Sequence, residues 1–316
     1  MKTKAKSANV QYVSIDESHA GQRLDNYLLS KLKGSGRSLV YRIVRKGEVR
    51  VNKRRAKPSY RLALGDEIRI PPLHLAEKTE SVSVPSRLMG TLEASILYED
   101  DDFLVLNKPP GLAVHGGSGL SLGIIEALRA MRPHAPFLEL IHRLDRDTSG
   151  LLMLAKSRPI LLEMQSLLRG SGVKKTYLCV LVGQWKGGGR WVEASLSKTA
   201  RRGRERLMTV DEKSGDAARS RFKPLRHFQE HTLVEAIIAT GRTHQIRVHA
   251  ASLGHPVVGD TKYGDFSANR CARAQGLKRQ FLHASTVEFR LPISGKRYAF
   301  EASLPADLKN YLEKMK

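Results

Sequence analysis

His142-Arg143-Leu144-Asp145-Arg146-Asp147-Thr148-Ser149-Gly150 runs without a break into Leu151-Leu152-Met153-Leu154-Ala155. The apolar half has the length and bulk of a buried strand. The polar half is a charged loop entering that strand, a place where a rigid scaffold commonly presents reactive groups. Asp145 lies among His142, Arg143 and Arg146. Nearby guanidinium groups favour its ionised form, while a cleft wall would desolvate it. That surrounding suits a nucleophile, and it suits a structural ion pair equally well. Asp147, just before Thr148 and Ser149, is better placed to stabilise a turn.

Outward from this stretch the chain alternates strand and helix patterns. Ile96–Asp100 and Phe103–Leu106 read as strands joined by an acidic turn. Tyr177–Val182, Leu233–Ile238 and Thr286–Leu291 read as further strands. Gly123–Met131, Pro159–Leu168 and Thr243–Leu253 have helical spacing. Residues 96–316 are therefore expected to form a large mixed α/β domain. On the Thr243–Leu253 helix, Arg247 would fall one turn after Thr243 and share its face. Arg242 would precede that helix.

The N-terminal part reads differently. Residues 1–17 are expected to form a flexible tail and residues 18–75 a small domain. Leu24, Tyr27, Leu28 and Leu32 recur at helical spacing. Ser38 is a candidate cap for a second helix that Gly47 stops. On that helix Leu39, Val40, Ile43 and Val44 form an apolar stripe, and Arg37, Arg42, Arg45 and Lys46 lie largely opposite. An alternating strand, 48–52, leads to the basic turn Lys53-Arg54-Arg55. Residues 76–95, rich in Ser, Glu and Pro, read as a linker.

Composition sets bounds on function. The 316 residues carry a formal net charge of +23. Residues 1–74 hold 17 Lys and Arg against 6 Asp and Glu. Such asymmetry points to a polyanion, most often nucleic acid. No apolar run approaches the roughly 20 residues needed to span a bilayer. The basic N-terminus lacks the apolar core of a secretory signal, and two distant cysteines, Cys179 and Cys271, form neither a disulfide framework nor a zinc pattern. The expectation is a cytoplasmic monomer without membrane attachment. His244 and His249 do not have zinc-protease spacing, and Gly116-Gly117-Ser118-Gly119 is not a phosphate loop, so no metal or cofactor is expected.

Several motifs now stand in a fixed order: Asn107-Lys108-Pro109-Pro110-Gly111 with Val114-His115, then His142-Arg143-Leu144-Asp145, then Lys175-Thr176-Tyr177. Gly241-Arg242-Thr243-His244-Gln245-Ile246-Arg247 follows, then Gly259-Asp260 and Phe281-Leu282-His283-Ala284. In that order they resemble the RluA/RluC family of RNA pseudouridine synthases. The N-terminal pattern resembles an S4-like RNA-binding domain, through Arg23-Leu24-Asp25, the 37–46 helix, residues 47–52 and Leu64-Gly65-Asp66. The resemblance implies fold class α+β for residues 96–316, with a mostly antiparallel mixed sheet flanked by helices. It implies isomerisation of uridine to pseudouridine, with 23S ribosomal RNA or the assembling large subunit as partner and no cofactor.

It further implies Asp145 as nucleophile, Tyr177 stacking on the target base and Arg247 pairing with Asp145. Arg143 would occupy the gap left by an extruded uridine, since guanidinium stacks on bases and pairs with phosphate. His142 and Arg242 would contact RNA, although His142 suits a buried hydrogen-bonded role as well, and Arg242 and Arg247 could exchange roles. Arg37, Arg42, Arg45, Lys46, Lys53, Arg54 and Arg55 would meet phosphates. The loop Lys198, Arg201, Arg202, Arg204 and Arg206 is either a further RNA contact or a solvated loop. Attack at ribose C1′, addition at ring C6 and removal of a ribose proton are all open to Asp145. Two other readings stay open: a non-catalytic RNA-binding assembly factor, and the same chemistry on another ribosomal or transfer RNA uridine.

Overall fold

The computed structural model describes residues 9–17, 19–32, 36–73, 84–116, 122–198 and 207–315. The chain divides after Ser83 into two compact units. Each is built around its own apolar cluster.

The first unit contains β1 (Gln11–Ser14), α1 (Leu24–Lys31), α2 (Arg37–Arg45), β2 (Arg50–Val51) and β3 (Glu67–Ile70). The sheet runs β1-β3-β2, all antiparallel. Residues 11–14, expected in the tail, are thus a strand, because their backbone pairs with β3 along its length from Gln11–Ile70 to Ser14–Glu67. The edge strand is mostly exposed and short, so its sequence carries little apolar signal. Leu24, Tyr27, Leu28, Val40, Ile43 and Val44 form the core between the helices and the sheet. Ser38 caps nothing: α2 starts at Arg37 after an extended Gly36. Gly47 does end that helix, with φ +74 and its amide bonded to the Val44 carbonyl. The turn after β2 begins at Asn52 and Lys53, both left-handed, and the Asn52 side-chain amide donates to Asp66 at 2.7 Å.

The second unit contains α3 (Ser86–Ala94), β4 (Ile96–Glu99), β5 (Phe103–Lys108), α4 (Ile124–Met131), β6 (Glu139–Leu140), β7 (Ser149–Ala155), α5 (Arg158–Arg169) and β8 (Val173–Val182). It continues with β9 (Arg190–Glu193), β10 (Leu196–Lys198), β11 (Met208–Val210), β12 (Arg219–His227), β13 (His231–Ile238) and α6 (Gln245–Ser252). It ends with α7 (Phe266–Ala274), β14 (Leu282–Arg290), β15 (Arg297–Glu301) and α8 (Ala306–Lys314). Ten of these strands form one sheet with the path β4-β5-β7-β14-β8-β13-β12-β9, to which β6 and β15 add. Among the described residues, only β7 and β14 pair in parallel. The mixed α+β class therefore holds. Helix α3 lies inside the expected linker: Leu92 is fully buried in the core, which the Ser and Pro content of the segment hid.

The Leu151–Ala155 run is fully buried at the middle of the sheet. At its entrance Gly150 has φ +107, and a Cβ there would run into the Ala284 carbonyl on β14. Only glycine lets the two strands meet at this point.

Candidate active site

Asp145 sits on the loop between β6 and β7, and that loop is fastened from several sides. Lys108, at the end of β5, is fully buried and donates to the carbonyls of Pro109 at 2.9 Å, Leu112 at 3.0 Å and Arg146 at 2.9 Å. All three ammonium donors are thereby satisfied. Arg279 donates to the Asp147 carbonyl at 3.0 Å and holds Asp307 of α8 through its Nε and NH2. Gln280 donates to the Thr148 hydroxyl at 2.7 Å. His283 donates through Nε2 to the Ala302 carbonyl, leaving Nδ1 to accept from the Ser149 hydroxyl at 3.0 Å. Asp147 itself is exposed, with Arg146 3.8 Å away; its backbone, rather than its carboxylate, stabilises the turn.

His142 ends as a fastening too. Its Nε2 accepts the Met153 amide at 3.2 Å, binding the loop to β7. Burial, then the charge of Lys175, pushes its pKa down to about 4, so it is a neutral histidine and not a cationic RNA contact. The residue is half-buried, hydrogen-bonded to β7 and part of the wall of the cleft described below.

The functional carboxylate faces α6. Arg247 NH1 donates to Asp145 Oδ2 at 2.8 Å, while its Nε and NH2 grip Asp260 at 2.6 and 2.8 Å. One guanidinium thus bridges two carboxylates. Burial pushes the Asp260 carboxyl upward, but the hydrogen bonds and charge of Arg247 outweigh it and hold Asp260 below the usual range. Burial likewise opposes the charge on Arg247, and Asp260 and Asp145 together hold it cationic. The expected pairing of Asp145 with Arg247 is present, and the alternative partner Arg242 is not: its Nε donates to the Ala217 carbonyl and its NH1 lies 3.6 Å from Asp216. Thr243 does not share the helix face, because α6 begins at Gln245. His244 precedes it in a left-handed conformation with φ +56, which turns its ring back toward the site.

The other oxygen of Asp145 is open. His244 Nε2 lies 3.8 Å from Oδ1, and its Nδ1 is 2.8 Å from the Tyr263 hydroxyl. The Asp145 side chain keeps 19% of its exposure. It borders two adjoining clefts of about 400 Å³ each, which share Arg143, Leu144, Asp145, His244 and Arg247. Tyr177 lines the first. It is the fifth residue of β8, mid-strand and not at its start, set between Ala236 and Ala284 of the neighbouring strands. Burial, then the Asp145 charge, pushes its phenol upward, so it stays protonated.

Arg143 is exposed and borders both clefts, and its side chain makes no hydrogen bond to a described residue. The second cleft adds Arg146, Lys262, Lys278 and Arg279, a basic rim next to the carboxylate. In the first unit Arg37, Arg42, Arg45, Lys46, Lys53, Arg54 and Arg55 are all exposed. Arg55 donates to the Lys46 carbonyl at 3.4 Å, so the basic turn and the end of α2 form one surface. Lys198 ends β10, while Arg201, Arg202, Arg204 and Arg206 lie outside the described residues.

Asp260 stands in a sequence motif that suggests no task for it, and Lys175 and Tyr263 are equally silent in the sequence. A partner 13 residues along, across a turn, leaves no periodic signal. Among the described residues no group of His, Cys, Asp and Glu is arranged to hold a metal, and no helix is long and apolar enough to cross a membrane.

The chain is similar to proteins of known family. Residues 102–252 match the RNA pseudouridylate synthase family and residues 22–68 the S4 domain. A ribosomal large subunit pseudouridine synthase C of Haemophilus influenzae is 49% identical, over 98% of this chain and 96% of the relative. The Escherichia coli K12 protein of that name is 48% identical over 100% and 99%. The solved structure of human RNA Pseudouridylate Synthase Domain Containing 4 superposes with a TM-score of 0.59 at 26% identity, covering 73% of this chain and 97% of that one.

Proposed function

The chain belongs to the RNA pseudouridylate synthase family, and on that premise we propose that it isomerises uridine to pseudouridine in 23S ribosomal RNA of the large subunit, with Asp145 as nucleophile. The observation carrying the residue assignment is the asymmetry of the Asp145 carboxylate. Arg247 holds Oδ2 at 2.8 Å, and Oδ1 is left facing a cleft. A carboxylate fixed at one oxygen and facing a cleft with the other is oriented to meet an electron-poor carbon. The cleft volume lies within the range of small-molecule sites, about 300–1,000 Å³.

The reaction breaks the bond from uracil N1 to ribose C1′, turns the base and joins C5 to C1′. C5 loses a proton and N1 gains one, so no atoms or electrons are exchanged with a cofactor. The detached base must be retained, and Tyr177 offers a wall on which it stacks. Arg143 takes the place of the extruded base, and the basic rim meets the flanking phosphates. Arg242 and the first unit extend the phosphate contacts. The protein works as a cytoplasmic monomer.

Carbodiimide mapping of 23S RNA with and without the protein tests the reading. One or more uridines should become modified, and none modified would overturn it. Asp145→Asn should lower the rate by at least about 10⁴-fold with RNA binding retained. An active Asp145→Asn protein would remove the nucleophile assignment, and an inactive wild-type that still binds would favour an assembly factor.

A further inference from the structure

Lys175 takes no part in the scheme above. It lies on β8 two residues before Tyr177, so both side chains leave the same face of the strand. It lines the cleft that Asp145 and Tyr177 border, and only 6% of it is exposed. No described residue hydrogen-bonds or ion-pairs with its ammonium group. The contrast with Lys108 is direct: also buried, that lysine has a carbonyl for each of its donors.

The surroundings of Lys175 supply no anion. Its cross-strand partners are Ile238 and Val287. Gly241 passes beside it, with Nζ 4.0 Å from where a Cβ would stand. His142 is neutral. The Lys175 stem is buried, but the ammonium opens on the cleft, since no sealed side-chain nitrogen among the described residues lacks a partner. A largely desolvated charge facing a cleft without a counter-ion is costly, and an anion bound there would complete it. Burial draws its pKa down to about 8, so the group is still largely protonated at neutral pH.

We propose that Lys175 is the docking point for an anionic oxygen of the target nucleotide, resting on the functional reading above. Two oxygens qualify. One belongs to the nucleotide's own phosphate. The other arises on the uracil: when the N1–C1′ bond breaks, its electron pair stays on the ring and spreads to O2 and O4. Lys175 forms no bond and gives up no proton in either case. Its charge neutralises the oxygen while Tyr177, two residues along the strand, faces the base.

The test uses the full chain, Lys175→Met and Lys175→Arg, with a 23S RNA transcript carrying a mapped site. Binding is measured against salt, and the single-turnover rate at saturating enzyme. If phosphate docks there, Lys175→Met flattens the salt slope by about 0.7–0.9 and leaves the saturated rate near wild type. If the uracil oxygen docks there, the slope is unchanged and the rate falls at least about tenfold, as for loss of a charge-stabilising donor. In both cases Lys175→Arg recovers part of the loss. The melting temperature of Lys175→Met should equal or exceed that of wild type, because a largely desolvated charge without a counter-ion has gone. A purely structural lysine would give the reverse. Wild-type binding and rate in Lys175→Met overturn the proposal, as does a lowered melting temperature with no recovery by arginine. Should Lys175→Met fail to fold, Lys175→Gln is read by the same criteria. An active wild type with an unaffected variant sinks this proposal alone, whereas an inactive wild type sinks the functional reading.

Discussion

At the scale of single residues, two ion-pair centres set testable energetics. Arg247 is buried between Asp145 and Asp260, and replacing it by Ala leaves Asp260, itself buried, without a counter-charge. The expected cost is about 3–5 kcal/mol, read from urea denaturation. Arg247→Lys keeps the charge but cannot reach both carboxylates, so it should lose activity more than stability. In the first unit Asp25 accepts from Arg23, Tyr41 and the Asn26 amide. The Arg23 hydrogen bonds outweigh burial and bring its carboxyl down to about 2. A carboxyl lowered on folding from about 3.9 stabilises the fold fully above its unfolded value, and that contribution fades as the pH falls through about 2. Hydrogen exchange in the first unit of the full chain should show Asp25→Asn less protected than wild type at pH 6, with the gap closing between about pH 4 and 2. An unchanged gap would show that the carboxylate is not the source. The pairing of Asp145 with Arg247 is legible in the chain only through the motifs that carry the family resemblance, because the two residues lie 102 positions apart. The task of Asp260 is not legible, since Gly259-Asp260 after the apolar pair Val257-Val258 looks like a turn.

At the scale of elements, apolar runs announce themselves and short or polar elements do not. The buried strands β5 and β7 carry long apolar runs. By contrast β1 is a short edge strand with little buried surface, and α3 spends its single fully buried residue, Leu92, amid polar neighbours. The helix α6 starts later than its spacing suggests because His244, not a glycine, adopts the left-handed conformation there, and nothing in a histidine announces it. Gly150 gives the sharpest test at this level. Gly150→Ala introduces both a positive-φ penalty and an overlap with the Ala284 carbonyl. Together they should destabilise by roughly 2–4 kcal/mol, seen in thermal unfolding, and should displace Asp145 on the loop upstream. A wild-type melting temperature with wild-type activity would refute this.

At the scale of the whole molecule, the two units have separate cores, which makes their contributions separable by deletion. Removing residues 1–83 should leave the second unit folded by circular dichroism. RNA affinity should drop, and every phosphate left without its cation should flatten the dependence of log K on log salt by about 0.7–0.9. An unchanged slope would mean the exposed cations of the first unit do not touch RNA. The charge asymmetry and the Ser-, Glu- and Pro-rich stretch 76–95 both point to this division in the sequence, and the chain divides after Ser83, inside that stretch. The fastening of the Asp145 loop has a further consequence. Its carbonyls, hydroxyls and side chains are held from β5, β7, β14 and the stretch before it, so the loop has no slack with which to follow its substrate. On the proposed function, the protein would act as a stiff die and the RNA as the pliant sheet. A uridine already unstacked in its own RNA should then be modified faster than one held in a helix.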